Sequence, residues 1–310
     1  MTTGQTSDAL PPVVAVVGAT AAGKTELSLD LAEALGGEIV NTDAMQVYRG
    51  MDVGTAKLPV AEWRGIPHHL LDLLEVTEPA TVAGFQRLAR QVVDDCRTRG
   101  RTPVLVGGSA LYTRAVLDRF DFPGTDPEVR ARWEAELAEH GPEELHRRLA
   151  EVDREAAARI EPLNGRRVVR ALEVVEITGR PFTAALPVPS YFYDRTVQVG
   201  VRIPRPVLDE RIELRVQRMW EAGLVDEVRR LAAGGLRDGR TAHRALGYQQ
   251  VLAFLAGECT EDEARQRTVS GTRRFARRQE SWFVKDPRVT WVDWDDPDRS
   301  ARAVEVVRAG

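Results

Sequence analysis

A glycine-rich turn near the start of the chain constrains the fold more than any other feature. The turn is Gly18-Ala19-Thr20-Ala21-Ala22-Gly23-Lys24-Thr25, which follows the apolar run 13–17 and precedes leucines spaced four apart. A buried strand, a turn of the form G-x-x-x-x-G-K-[ST] and a helix are together typical of a loop that binds a polyphosphate. The backbone N–H groups point inward, Lys24 supplies a charge for the terminal phosphate, and the Thr25 hydroxyl can ligate Mg²⁺. The pattern predicts a phosphate loop of the nucleotide-binding type without identifying the polyphosphate.

Strand and helix patterns alternate after this turn, which predicts a parallel sheet with crossover helices. The expected strands are 13–17, 38–42, 103–106, 197–203 and 288–294, and the expected helices include 25–35, 85–99 and a helical stretch over 125–177. We therefore expect an α/β fold: a P-loop NTPase-like parallel sheet flanked by helices, with an inserted all-helical domain and a helical C-terminal region. The expected bounds are a disordered tail at 1–12, a core at 13–124 and 195–310, and the inserted domain at 125–194.

Composition excludes several classes of protein. The chain of 310 residues has two cysteines, Cys96 and Cys259, too far apart in sequence for a disulfide framework or a zinc finger. No apolar stretch approaches the roughly 18 residues that a membrane span needs. We expect a cytoplasmic protein with no membrane partner.

The formal net charge of −4 argues mildly against nucleic acid, but segment 265–285 carries seven basic residues against one acid. Phe275 and Trp282 lie between these charges, a pattern that suits single-stranded RNA, where rings stack on bases. The alternative is an amphipathic helix whose aromatic residues face the core. The same two readings apply to the basic patch 166–170.

Asp43 follows the second expected strand, at the sheet edge where ligands bind in open α/β folds. It could hold Mg²⁺ through water, act as a general base, or cap a helix together with Gln46. Gly107-Gly108-Ser109 ends the next strand where an NTP hydrolase commonly has an acid, which argues against motor ATPases and GTPases. Ser109 could contact phosphate or cap the following helix.

Two further pairs are ambiguous. His68-His69 lacks additional ligands at metal spacing, so we expect a structural role. Arg211 and Arg215 are one turn apart on an expected helix and could close over phosphates or form a solvated face.

The chain resembles the bacterial tRNA dimethylallyltransferases, which prenylate adenosine 37 beside the anticodon. The resemblance covers most of the chain and is carried by the phosphate loop and by motifs at 41–57, 67–72, 106–112, 170–174, 246–248 and 277–282. The family usually has Pro at position 19, Ser at 22 and Thr at 109, where this chain has Ala19, Ala22 and Ser109. The alanines leave the backbone of the loop intact, and Ser109 keeps the hydroxyl.

The resemblance implies that the loop, residues Gly18 to Thr25, binds the diphosphate of dimethylallyl diphosphate together with Ser109. It implies that Lys24, Arg215 and Mg²⁺ on Thr25 neutralise the departing diphosphate, and that Asp43 takes the proton from N6 of adenine. The expected tRNA contacts are Asp43, Ala44, Met45, Gln46, Ser109, Arg130, Arg166, Arg167, Val168, Val169, Arg170, Arg244, Gly247, Tyr248, Gln249, Arg277, Arg278, Gln279 and Trp282. The expected partner is the tRNA anticodon stem-loop, and we expect a monomer.

Two other functions fit the phosphate loop. A P-loop kinase of a small metabolite would use Asp43 as base for a hydroxyl, but it would not need the basic C-terminal segment or the inserted helices. A nucleotide-gated RNA-binding protein would lack catalysis, and replacement of Asp43 would distinguish it.

Overall fold

The computed structural model describes residues 10–119, 122–182 and 188–310, and within them six parallel strands form one sheet. The strands are β1 (Val13–Val17), β2 (Glu38–Asn41), β3 (His68–His69), β4 (Pro103–Val106), β5 (Thr196–Arg202) and β6 (Val289–Asp293), and their order across the sheet is β3-β2-β4-β1-β5-β6. The predicted α/β class is confirmed. Residues 1–9 of the expected tail lie outside the described residues.

Strand β1 is buried on both faces, as its unbroken apolar sequence predicts. Val13, Ala15 and Val17 face one hydrophobic cluster, and Val14 and Val16 face another on the opposite side of the sheet. Because successive side chains of a strand alternate between faces, one five-residue run serves both cores. Strand β1 is thus held on both faces, which fixes the position of the turn that follows it.

Helices cover both faces of this sheet. They are α1 (Lys24–Leu35), α2 (Val82–Thr98), α3 (Ala110–Leu117), α7 (Arg205–Glu221), α8 (Leu224–Ala233), α9 (Tyr248–Leu255), α10 (Glu261–Phe283) and α11 (Arg299–Ala309), with α4, α5 and α6 in the inserted segment described below. Gly36 ends α1 with φ of 59°, the left-handed conformation that glycine adopts readily. Strand β3 and helix α11 were absent from the sequence prediction.

The chain divides into two compact units. The sheet unit comprises residues up to 119 together with 190–310, and the helical unit comprises 120–189. The expected inserted domain was 125–194, so the observed unit begins and ends five residues earlier. Residues 190–192 pair with the end of α3, since the amides of Arg119 and Phe192 donate to Ser190 and Leu117. The chain has therefore already rejoined the sheet unit at residue 190.

The helical unit contains α4 (Pro127–Val152), α5 (Arg154–Arg159) and α6 (Gly165–Thr178). Gly141, with φ of 79°, breaks α4 directly before Pro142. The core of the unit includes Leu145, Leu149 and Leu172. Among the described residues of both units, no helix combines the length and the apolar character that a membrane crossing requires.

Candidate active site

The phosphate loop lies between the end of β1 and the start of α1, as predicted. Ala21 joins Gly18 and Gly23 in having positive φ (63°, 136° and 100°), so the turn curls back over the helix N-terminus. Helix α1 begins at Lys24, which places the positive end of its dipole at the turn. The loop therefore offers amides and a helix dipole to an anion.

Lys24 is held inside the loop. Its Nζ donates to the Ala19 carbonyl at 2.7 Å. Burial, reinforced by the neighbouring Arg215 guanidinium and opposed by Asp43, lowers the pKa of Lys24 to about 7. The amine is therefore poised to gain charge when an anion enters.

Asp43 is fixed just beyond β2 by a local turn. Its amide donates to the Asn41 Oδ1 at 2.8 Å, and its Oδ1 accepts from the Met45 amide at 2.8 Å. No helix begins at Asp43, so the alternative of a cap shared with Gln46 is wrong. The Gln46 side chain instead donates from Nε2 to the Thr55 carbonyl at 3.1 Å. The turn presents the Asp43 carboxylate at the carboxyl edge of the sheet.

The glycines after β4 allow this turn to approach. A Cβ on Gly107 would lie 2.3 Å from Thr42 Oγ1 and 2.9 Å from the Asp43 amide. The Ser109 hydroxyl accepts from the Ala44 amide at 3.2 Å and makes no cap bond to α3. Ser109 therefore fastens the Asp43 turn to β4. It occupies the N-cap position of α3, but its side chain does not cap that helix.

One cleft contains the predicted chemistry. Its lining includes Thr20, Lys24, Thr25, Asp43, Gln46, Gly108, Arg215 and Gln279. Burial lowers the pKa of Arg215, and Asp43 partly restores it, so these two opposite charges act on each other across the cleft. The base candidate and the phosphate loop, which are separated in sequence by α1 and β2, therefore share one cavity.

Helix α7 adds a cationic wall beside the loop. A second cavity is lined by Lys24, Thr25, Arg211, Arg215 and Arg218, among others. The Arg211 guanidinium lies 5.3 Å from the centre of the Trp294 ring. The structure thus places Arg211 and Arg215 over the loop rather than on a solvated face. Arg218 was not among the residues predicted from the sequence, although its spacing of three from Arg215 puts it on the same helix face.

Helix α10 links the basic segment to the phosphate loop. The Thr20 amide donates to Gln279 Oε1 at 2.8 Å, and Gln279 Nε2 donates to the Gly108 carbonyl at 2.8 Å. A Cβ on Gly108 would lie 2.1 Å from Gln279 Nε2. Gln279 is buried and borders the cleft, so its side chain joins two parts of the site, and its predicted contact with tRNA stays a prediction.

The other predicted tRNA residues of the sheet unit fall into three groups by exposure. Ala44 and Met45 are half-buried in the Asp43 turn, while Arg244, Gln249, Arg277, Arg278 and Trp282 are exposed. Gly247 is buried, and Tyr248 is completely buried in the core. The Tyr248 side chain is therefore unavailable to RNA, and the sequence prediction of a direct contact was misled by its place in a motif.

The predicted contacts of the helical unit are similarly mixed. Arg166 and Arg167 are exposed on α6, but Val168 and Val169 pack in its core. Arg130 and Arg170 both pair with the buried Glu173, and Arg170 also donates to the carbonyls of 123 and 124. The valines cannot offer side chains to RNA, and these two arginines neutralise an internal carboxylate.

His69 belongs to a polar cluster that the sequence spacing concealed. Its ring contacts Glu38 at 2.7 Å, and the Cys96 thiol lies 3.4 Å from the same carboxylate. Arg99 binds both Glu38 oxygens, and this hydrogen bonding lowers the pKa of Glu38 to about 2. Because Arg99 already neutralises the carboxylate, the structural role expected for the histidine pair fits this arrangement.

Comparison with known proteins decides the family. The IPP transferase family model matches residues 46–286, which is most of the chain. The chain belongs to the IPP transferase family. Among curated relatives, the tRNA dimethylallyltransferase of Nocardioides sp. is 70% identical over 298 residues, 96% of each chain. That of Streptomyces coelicolor is 64% identical and covers 94% of this chain and 93% of its own length.

Solved structures of this transferase family have the same architecture. The tRNA isopentenylpyrophosphate transferase of Bacillus halodurans is 40% identical, with a TM-score of 0.69 and coverage of 96% of this chain and 95% of its own. A eukaryotic dimethylallyltransferase acting on tRNA shares the fold with a TM-score of 0.79, at 24% identity, over 95% of this chain and 78% of its own. The fold and the family resemblance inferred from the motifs are confirmed.

Proposed function

We propose that this protein transfers the dimethylallyl group of dimethylallyl diphosphate to N6 of adenosine 37 in tRNA and releases diphosphate. The observation that carries the proposal is the single cleft in which Asp43 faces Lys24 and Arg215. Full-length relatives at up to 70% identity are named tRNA dimethylallyltransferase, which supports this choice of group and acceptor. A single chain supplies all three side chains, so we expect a monomer to suffice, acting in the cytoplasm where tRNA is found.

Charge separation explains the diphosphate half of the site. As the bond from C1 of the dimethylallyl group to the diphosphate oxygen breaks, negative charge gathers on the leaving group. Loop amides, the α1 dipole, Lys24 and Arg215 are aimed at that charge before the reaction begins. Lys24 stabilises the leaving group in its protonated form, and a diphosphate in the loop would raise the pKa that burial lowers to about 7.

The acceptor half requires a base. The N6 lone pair of adenine is delocalised into the ring, so the amine becomes a nucleophile only as it loses a proton. N6 bonds to C1, the C1–O bond breaks, and the N6 proton passes to the Asp43 carboxylate. Adenosine 37 must leave the anticodon-loop stack to reach this position, at a cost of a few kcal/mol. Exposed arginines and Trp282 on α10 are suited to offset that cost.

Thr25 fits a Mg²⁺ ion that accompanies the diphosphate. Its hydroxyl has no hydrogen-bond partner among the described residues and borders both cavities beside Lys24. Mg²⁺ commonly binds through one or two protein oxygens, with phosphate and water completing its shell. When bound, the ion would neutralise charge on the diphosphate. Thr25 is the residue of this chain that we propose as its ligand.

Radiolabel transfer tests the proposal. The full chain is incubated with dimethylallyl diphosphate labelled in the dimethylallyl group and with an unmodified tRNA transcript. A transcript with guanosine at position 37 serves as the matched control. Label should appear in the first RNA only and be recovered as N6-dimethylallyladenosine. Absence of label from RNA, or consumption of a γ-phosphoryl group from ATP in each turnover, would favour the kinase or the non-catalytic binding protein.

A further inference from the structure

A buried carboxylate that the proposed reaction does not use lies behind the wall of the cleft. Glu227, in the first turns of α8, is 2% exposed and has no cationic partner among the described side chains. Its oxygens accept from three consecutive amides, those of Asp52 (3.1 Å), Val53 (2.7 Å) and Gly54 (3.1 Å). Successive N–H groups that converge on one anion form a nest, which compensates the charge without a cation.

A fourth hydrogen bond completes this anchor. The Tyr248 hydroxyl donates to Glu227 Oε1 at 2.6 Å. Tyr248 is also the surface against which the anchored segment packs, because a Cβ on Gly54 would lie 2.4 Å from its ring. Gly54 and Tyr248 belong to two of the motifs that carry the family resemblance, and both donate a hydrogen bond to Glu227.

The anchored segment leads directly into the active-site cleft. Thr55 follows Gly54 and lines the cleft, and its carbonyl accepts from Arg215 Nη2 at 3.4 Å and from Gln46 Nε2 at 3.1 Å. The bond to Thr55 is the one hydrogen bond from the Arg215 guanidinium to the described part of the chain. This carbonyl is therefore the backbone group that the Arg215 guanidinium contacts at the cleft.

We propose that Glu227 is a positioning residue: it fixes segment 52–55 so that the Thr55 carbonyl aims Arg215 at the leaving diphosphate. The inference rests on the proposed function, which supplies the diphosphate. Only a carboxylate at this reach accepts at both oxygens, whereas the side-chain amide that Glu227→Gln introduces would turn a donor toward the backbone N–H groups. A small displacement of an aligned group can lower a rate about 10²-fold.

The test is a double-mutant cycle on the full chain with Glu227→Gln, Arg215→Ala and the combined variant. Inorganic pyrophosphate affinity is measured by calorimetry, and the single-turnover transfer rate is measured with tRNA. We expect Glu227→Gln to weaken pyrophosphate binding and slow transfer by up to about 10²-fold. It should leave tRNA affinity unchanged and cause little further loss once Arg215 is absent.

Losses that add fully in the double variant, or a Glu227→Gln chain that behaves as wild type, would overturn the inference. If Glu227→Gln does not fold, Tyr248→Phe replaces it, since it removes one bond of the anchor and keeps the carboxylate. A loss confined to chains that retain Arg215 then supports the inference, and an equal loss in both backgrounds overturns it. Pyrophosphate binding is read without turnover, so a failure of the proposed transfer reaction is distinguished from a failure of the anchor.

Discussion

The three lysines of this arginine-rich chain are Lys24, Lys57 and Lys285, and two of them occupy positions that suit an ammonium group. Lys57 is 7% exposed, and its Nζ donates to the Tyr48 carbonyl, to Asp52 and to Asp72 at 3.0, 2.6 and 2.6 Å. Three acceptors around one point match the three rotatable donors of an ammonium, whereas a guanidinium is a planar fork. Lys57 therefore ties Asp52, at the start of the segment that Glu227 anchors, to Asp72.

Lys24 gives a pH prediction with a definite sign. Burial lowers its pKa from 10.5 to about 7, so at about pH 8 the amine is mostly neutral in the free protein. A bound diphosphate favours the ammonium form and raises this pKa, so binding should take up a proton between about pH 7 and the ordinary lysine range.

Calorimetry of pyrophosphate binding in two buffers of different ionisation enthalpy counts those protons. Lys24→Met is the reference, because protons exchanged by pyrophosphate itself cancel in the difference. The wild-type chain should take up more protons than this variant at about pH 8, and the excess should shrink below pH 7. If the wild-type chain and Lys24→Met took up equal numbers of protons at about pH 8 as well as below pH 7, the account of Lys24 would be refuted.

Helix α10 divides its two faces between distinct tasks. Ala276, Gln279 and Phe283 are buried toward the site and the core, while Arg277 and Arg278 are exposed. The sequence left open whether this segment was an RNA surface or an amphipathic helix. Its aromatic residues divide accordingly, since Phe283 is buried and Trp282 is 45% exposed.

Salt dependence of tRNA binding tests the exposed face. Arg278→Ala should weaken binding and reduce the slope of log K against log salt by about 0.7 to 0.9, the value for one phosphate contact. Arg308→Ala is the matched control, because Arg308 is exposed on α11 and outside the predicted tRNA contacts. An unchanged slope for Arg278→Ala would make α10 a structural helix.

Local patterns predicted most of the elements but missed β3 and α11. The runs that became β1 and β4 are continuously apolar, and α1 repeats leucine every four residues, but β3 has only two residues and so shows no pattern. Glu227 carried a usable signal, since it lies on the apolar face of α8 with Leu224 and Val228. A motif does not separate residues that contact a ligand from residues that support them. Tyr248 and Val168 were therefore predicted as tRNA contacts, although their side chains are buried in the core.

At the scale of the whole molecule, the sheet topology brings distant segments to one edge. Parallel strands end on the same side of a sheet. Because β2, β4 and β1 are neighbours in this sheet, the loops that follow them meet at one edge. This part of the site followed from the sequence. The link between Thr20 and Gln279 did not, because it joins residues 259 positions apart and depends on how α10 packs.

The central claim is that one cleft couples a base at Asp43 to a diphosphate at the loop, and single-turnover transfer by Asp43→Asn tests it most directly. The variant keeps the shape of the side chain and removes its basicity. Asp94→Asn is the control, since that carboxylate is exposed on α2 and does not line the cleft. We predict that Asp43→Asn slows transfer about 10²- to 10⁴-fold while tRNA and pyrophosphate affinities stay near wild type. Transfer by Asp43→Asn at the wild-type rate would contradict the account.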